Sequence, residues 1–338
     1  MALLVTGAAG FIGSNLVRRL LDDGTADSIV AFDALTYSGH TESLDDVLQD
    51  PRATLVVGDI RDAAAVRAVF QDHDIEGIFH LAAESHVDRS IDSPMDFVTT
   101  NVHGTVTLLA EAERAWSGDQ RRRFHHVSTD EVFGTLGPIN QFSETSPYSP
   151  RSPYAASKAA SDHFVRAWAE TYGLNTVITN CTNNYGPYQF PEKLIPVVIN
   201  RIQHQEPIPV YGDGQNVRDW LYVGDHCEAL VKVFERGVTG ETYCIGGEAE
   251  VTNLDLVEMV CDLYDEMTGA AAGRSRRLIE FVADRPGHDF RYAMNITKMR
   301  EELDWLPSVD LDEGLRKTVG WYLENQPWVE AVLRDEPR

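Results

Sequence analysis

The first half of the chain alternates short apolar, β-branched runs with stretches whose apolar residues recur every three or four positions. Leu3, Leu4, Val5 and Thr6 read as a strand, and Ile12, Leu16, Val17, Leu20 and Leu21 then fall on one face of a helix. Residues 29–32, 55–57, 78–81 and 124–127 predict four more strands, and 176–179 resumes the sheet. One long helix is expected over 96–116 and another over 154–172. Strands alternating with helices of this length predict an α/β fold: a Rossmann-like, doubly wound parallel sheet with ligands at the carboxyl ends of the strands. After about residue 180 the texture changes. Pro187, Pro191, Pro196, Pro207 and Pro209 punctuate the chain, with turns at Tyr185-Gly186 and Tyr211-Gly212, so loops and short elements are expected. Helices return over 254–267 and 311–325, with a small-residue loop at 269–273. The pattern divides the chain into 1–180 and a smaller α/β part, 181–338, that mainly covers substrate and has segments able to return to the first sheet.

Gly7, Gly10 and Gly13 lie between the first strand and the first helix. Glycines there permit a tight turn and let the backbone approach a pyrophosphate at a helix N-terminus, where amides and the dipole favour negative charge. The spacing is G-x-x-G-x-x-G, and its context gives it weight. Asp33 ends the second strand 20 residues beyond Gly13, where an acid binds the adenosine ribose hydroxyls and repels a 2′-phosphate. That favours NAD over NADP. Asp59, after the third strand, is placed to face the adenine.

Tyr154 and Lys158 are spaced to share one face of a helix, and an ammonium beside a phenol favours the phenolate that a base needs. Thr129, Asp130 and Glu131 follow the fifth strand, at the edge where ligands sit. Two adjacent carboxylates there are either a solvated loop pair or an acid and a base; spacing alone does not decide.

Composition narrows the classes. The 338 residues suffice for about two domains. A hydrophobic share of 43% and a charged share of 24% describe an ordinary globular chain. The longest apolar runs are far too short to span a bilayer. Residues 1–6 run straight into a glycine turn, so no secretory signal is read. The four cysteines form no C-x-x-C pair and the histidines are scattered, so no disulfide scaffold and no metal site is expected, and the cytoplasm is the default. With 29 basic against 53 acidic residues the net charge is −24, which argues against nucleic acid as a partner. Only five of the basic residues are lysine. The chain is either merely acidic or adapted to high salt, where screening quiets carboxylate repulsion.

Six segments, read together, resemble the nucleotide-sugar 4,6-dehydratases of the extended short-chain dehydrogenase/reductase family: HLAAESHVDRSI (80–91), STDEVFG (128–134), SPYAASK (152–158), NCTNNYGPY with PEKLIP (180–188 and 191–196), NVRDW (216–220) and DRPGHD (284–289). They span nearly the whole chain in family order. Phe133 departs from the family's more usual Tyr but keeps an aromatic ring. The resemblance implies dehydration of a nucleoside-diphosphate glucose, dTDP-glucose first, with UDP- or CDP-glucose as alternatives. Tyr154 would take the C4 hydroxyl proton while hydride passes to NAD, with Thr129 and Lys158 orienting the oxygen and the cofactor ribose. Glu131 would remove the C5 proton and Asp130 protonate the leaving C6 hydroxyl, after which hydride returns to C6.

The carboxylate pair discriminates among relatives. Related 4-epimerases carry small or hydroxyl residues there, and UDP-glucuronate decarboxylases typically keep the Glu beside a Ser. A cofactor sensor would need only the glycine half. Further cofactor contacts implied are Phe11, Ile12, Leu35, Thr36, Ile60, Leu81, Ala82, Ala83, Ser85, Thr100 and Asn183. Substrate contacts implied are Ser85, His86, Asn183, Lys193, Leu194, Pro209, Tyr211, Arg218, Asn253, Asp284, Arg285, His288 and Tyr292. Arg218 suits the diphosphate because its planar fork matches phosphate oxygens. Relatives dimerise through two long helices, which points to 96–116 and 154–172 as a homodimer interface.

Overall fold

The computed structural model describes residues 1–284 and 288–334. Its strands are β1 (Ala2–Thr6), β2 (Ser28–Asp33), β3 (Ala53–Val57), β4 (Ile75–His80), β5 (Arg123–Thr129), β6 (Thr176–Cys181), β7 (Asn183–Tyr185), β8 (Ile208–Tyr211), β9 (Val217–Tyr222), β10 (Thr242–Ile245), β11 (Glu250–Thr252) and β12 (Ile279–Val282). The α-helices are α1 (Phe11–Asp22), α2 (Ala63–Asp72), α3 (Val87–Asp92), α4 (Pro94–Phe97), α5 (Thr105–Trp116), α6 (Pro153–Tyr172), α7 (Leu194–His204), α8 (Val223–Arg236), α9 (Asn253–Thr268), α10 (Thr297–Leu303), α11 (Leu311–Glu324) and α12 (Gln326–Arg334).

Seven strands pair in the order β10-β6-β5-β4-β1-β2-β3, all parallel. Helices cover both faces, so these strands are apolar on both sides instead of alternating with polar residues. Within β1, Leu3 and Val5 join Leu16 and Leu20 of α1 and Leu230 of α8 in one core, while Leu4 joins Val66, Leu108 and Ile178 in the other. The doubly wound sheet expected from the sequence is present.

Two expectations need correcting. The single helix over 96–116 is interrupted: α4 passes into a wide π-helical stretch, Val98–Gly104, before α5. Asn101 explains it. Its side chain accepts from the Glu84 amide at 2.8 Å and donates to the Glu84 carbonyl at 2.9 Å and to Ser157 Oγ at 2.8 Å. Thr105 Oγ1 meanwhile donates to the Asn101 carbonyl at 2.6 Å, so side-chain bonds compete with the helical ladder.

The stretch after residue 180 is also far more regular than its prolines suggested. Pro196 lies in the first turn of α7, where a missing amide costs little, and Pro209 lies in β8, which pairs only with β12. Moreover, α8 and β10 belong to the large sheet: α8 packs on α1, and β10 extends the sheet beside β6. The sheets β11-β9-β7 and β12-β8, with α7, α9 and α11, enclose a second core around Tyr185, Val198, Val260, Leu315 and Tyr322.

Candidate functional site

Strand order reverses at β1, whose neighbours are β2 and β4, and a crevice opens there at the carboxyl ends of the strands. A cleft of about 350 Å³ occupies it. Gly7 turns the chain with φ +69°, and a Cβ there would lie 2.7 Å from the Ala82 amide nitrogen. At Gly13 a Cβ would lie 2.0 Å from the Gly7 carbonyl oxygen, so only glycine lets α1 start against its own turn. At Gly10 a Cβ would meet only that oxygen, at 3.3 Å, because this glycine faces the cleft. The N-terminus of α1 carries no capping side chain and no acid in its first turn. It is left with the positive end of its dipole toward the cleft.

The Asp33 carboxylate accepts from the Ala9 amide at 2.9 Å and the Leu35 amide at 2.8 Å, and burial pushes its pKa up. Leu35 thus contributes its amide, in a left-handed conformation, and its side chain packs against the first core. Asp59 also reaches the cleft, paired through both oxygens with Arg61. Thr36, Ile60, Leu81, Ala82, Ala83, Ser85, Asn183 and Thr100, the last carried by the wide helical turn, complete the expected cofactor wall with Phe11 and Ile12.

At the other end of the cleft, Thr129 closes β5 and caps a short 3-10 turn, Asp130–Phe133. Its Oγ1 accepts from the Glu131 amide at 3.3 Å and donates to Asp130 Oδ1 at 3.2 Å. Asp130 is 3% exposed and its Oδ2 has no partner in the protein. Burial, and then the charge of Glu131, raise its pKa well above the usual carboxyl range. Glu131 is half-buried. Adjacent carboxyls in unequal environments are the pattern of an acid beside a base, and they exclude the reading of a solvated loop pair.

Tyr154 and Lys158 lie one turn apart on α6 and both line the cleft. Here the expected phenolate is not what the protein alone provides. Burial and the charge of Glu131 hold the Tyr154 phenol protonated, while Lys158 Nζ donates to the Val127 carbonyl at 2.9 Å. Desolvation decides the state of the phenol, and it lowers the Lys158 pKa as well.

The remaining expected contacts divide. Lys193 lines the cleft and caps α7, and His86 caps α3 with Nε2 3.7 Å from Glu192. The Leu194 side chain packs on the second core. Arg218 donates to the carbonyls of Val217 at 2.7 Å and Asp289 at 2.9 Å, and lies 4.5 Å from the Tyr292 ring centre. Both sit near the carboxyl pair: the charge of Arg218 favours ionised Asp130, and burial and then the charge of Glu131 raise the Tyr292 phenol. Pro209 and Tyr211 lie on β8, Asn253 starts α9, and Asp284 bonds His288 Nδ1 at 2.7 Å. None of these last five lines the cleft, nor do Leu35, His86, Leu194, Arg218 and Tyr292; of the expected substrate contacts it brings together Ser85, Thr129, Asn183 and Lys193. Arg285 lies outside the described residues.

Sequence reading missed Arg61, Glu84, Thr182, Asn184, Gln189 and Phe190, all of which line the cleft. Thr182 and Asn184 stood inside a recognised segment, so their signal was present. Phe190 had none: it arrives from the loop after β7 and stacks on His40, ring centres 5.2 Å apart. Among the described residues no cluster of His, Cys, Asp and Glu is arranged for a metal.

Residues 4–318 match the family described as GDP-mannose 4,6 dehydratase. The chain belongs to this family of nucleotide-sugar dehydratases. It is 51% identical over 345 residues to the dTDP-glucose 4,6-dehydratase of Neisseria meningitidis serogroup B, covering 99% of this chain and 97% of that one. The crystal structure of dTDP-glucose 4,6-dehydratase from Streptomyces venezuelae with NAD bound matches with a TM-score of 0.91 at 46% identity, over 98% of this chain and 100% of that one. A UDP-glucose 4-epimerase from Thermotoga maritima matches with a TM-score of 0.85 at 30% identity, over 96% and 100%. The family's fold therefore serves more than one reaction, and the site must separate them.

Proposed function

We propose that this protein dehydrates dTDP-glucose to dTDP-4-keto-6-deoxyglucose and water with NAD as a resident cofactor. The observation that carries this is the buried Asp130, its Oδ2 without a partner in the protein and its pKa pushed up by burial, beside half-buried Glu131. An epimerase has no leaving group to protonate. Near-full-length identity to dTDP-glucose dehydratases supports the nucleotide. The test offers dTDP-, UDP- and CDP-glucose separately and follows the alkaline chromophore of a 4-keto sugar. Turnover of dTDP-glucose is expected; epimerised sugar without chromophore overturns the assignment.

The cleft fits NAD on its own geometry: an uncapped helix start for the pyrophosphate, Gly10 facing open space, and Asp33 beyond β2 for the ribose. Bound there, NAD would supply a hydride acceptor for C4 and a hydride donor for C6, so no co-substrate would be consumed. Tyr154, its phenol easier to ionise beside the positive ring of bound NAD, would then receive the C4 hydroxyl proton, with Thr129 steadying that oxygen and Lys158 holding the ribose side. Glu131 removes the proton that C4 oxidation acidifies at C5, and Asp130 protonates the departing C6 hydroxyl. Glu131 then returns a proton to C5. Because the cofactor must stay for this cycle to close, protein purified without supplementation should release about one equivalent of NAD per chain on denaturation. Cofactor-free protein that consumes added NAD stoichiometrically would make it a simple dehydrogenase.

Two copies associate, on this reading, through α6 and the stretch 96–116. Val98, Phe164 and Tyr172 there are 44%, 39% and 54% exposed, an apolar surface that a partner would cover. Light scattering should give twice the 37.7 kDa chain mass at micromolar concentration; the mass of one chain would count against it. No described helix is long and apolar enough to cross a membrane. Four buried free cysteines suit a reducing cytoplasm. Adaptation to salt follows from the −24 charge: the thermal midpoint should rise from about 0.1 to 2 M KCl as repulsion is screened. A flat or falling midpoint leaves a merely acidic protein.

A further inference from the structure

On α6, one turn beyond Lys158, Asp162 is wholly buried and lies outside the lining of the cleft. Its Oδ2 accepts from Tyr148 OH at 2.7 Å, Ser128 Oγ at 2.9 Å and Asn180 Nδ2 at 3.4 Å, and its Oδ1 lies 3.2 Å from His126 Nε2. Arg166 Nη2 donates to Tyr148 OH from behind, at 2.8 Å. Ser128 directly precedes Thr129, and Asn180 Nδ2 also donates to the Thr129 carbonyl at 3.0 Å. Asp162 therefore grips the end of β5 from two sides.

Lys158 is 4% exposed, and a buried ammonium needs a balancing charge. The groups facing it cannot supply one. His80 on β4 and His126 on β5 are held neutral by burial, and the Cys181 thiol on β6 is pushed up to about 12. Tyr154 and Asp130 are held protonated. Asp162, one turn along the same helix and kept ionised by its donors, is a carboxylate placed to act on that ammonium.

We propose that Asp162 is a positioning residue for the reaction: from one helical turn away it balances the Lys158 ammonium, and through Ser128 and Asn180 it fixes the strand end that carries Thr129, Asp130 and Glu131. The role rests on the dehydratase reading above. For the NAD-loaded enzyme, Asp162→Asn should leave KM for dTDP-glucose unchanged. It should move the alkaline limb of kcat about one to three units to lower pH, because a lysine that loses its counter-charge deprotonates sooner. Asp162→Glu, which keeps the charge, should restore the limb. A limb that stays in place while only kcat or the thermal midpoint falls would reduce Asp162 to packing and overturn the proposal. Stability gives a second test that does not depend on activity. Adding Lys158→Met to Asp162→Asn removes the uncompensated ammonium and should recover the midpoint, or the folded protein itself if the single variant is not obtained. No recovery refutes the charge pairing. A parent that forms no 4-keto sugar defeats the dehydratase reading, and the midpoints then decide the pairing.

Discussion

Asp130→Asn and Glu131→Gln will each slow formation of the 4-keto-6-deoxy sugar by about 10²–10⁴-fold, the usual worth of a positioned acid or base. Asn fills the Asp130 site without strain but has no proton for the leaving hydroxyl; Gln at 131 cannot take the C5 proton. Both changes keep the Tyr154 phenol and the glycine turn, and removing the Glu131 charge makes that phenol easier to ionise, so both variants should still oxidise C4 and accumulate the near-ultraviolet absorbance of reduced cofactor. Glu131→Gln should also lose exchange of the C5 proton with deuterated solvent, whereas Asp130→Asn should keep some. Tyr154→Phe should differ from both by slowing the oxidation itself. Stability adds a check of sign. Because Asp130 holds its proton above the usual carboxyl range, its contribution to stability is full below the unfolded pKa and declines as pH rises through the folded one. At neutral pH Asp130→Asn should therefore be no less stable than the parent. Near-normal turnover in both variants would return the assignment to epimerase-like chemistry.

Gly13→Ala will strip the protein of its cofactor. The added methyl has to displace the Gly7 carbonyl from 2.0 Å, and that oxygen belongs to the turn the pyrophosphate would rest on. A shift of about 1 Å in such a turn costs about 10²-fold in rate. The variant should purify without NAD and recover activity only weakly when NAD is added. Gly10→Ala makes the informative contrast, since its methyl meets the same oxygen at 3.3 Å and leaves the turn in place. It should keep the thermal midpoint of the cofactor-stripped parent while losing cofactor. Parent-level NAD in purified Gly13→Ala would show that the turn does not carry the pyrophosphate.

The sheet was legible because its strands are buried on both faces, so their apolar runs are continuous and stand out against amphipathic helices such as α1 and α2. The glycine turn, Asp33, Asp130, Glu131, Tyr154 and Lys158 were legible because each follows a strand end or opens a helix, where neighbours in sequence are neighbours in space. What escaped depends on contacts between distant residues. The widened turn at Val98–Gly104 arises from Asn101 reaching Glu84 and Ser157, which no local pattern encodes. Helix α8 buries an apolar face as α1 does, but it follows the loop-like stretch that runs through Pro209 and Gly212 and was read as part of it. The protonation of Tyr154 reversed the sequence argument, because an i, i+4 lysine says nothing about how far a phenol is withdrawn from water or that the lysine bonds Val127.

The place of β10 in the large sheet sets a timetable for making the protein. All six residues of β6 are buried in the finished molecule, and one edge of that strand is closed only by Thr242–Ile245. On a ribosome adding about 5–20 residues per second, the roughly sixty residues between them take several seconds to appear. For that interval the nascent chain presents an apolar, unpaired strand edge, the kind of surface that templates pairing with another chain. Yield in a slow-translating host, where that interval is longest, will thus be decided less by the stability of the finished enzyme than by what shields β6 while it waits.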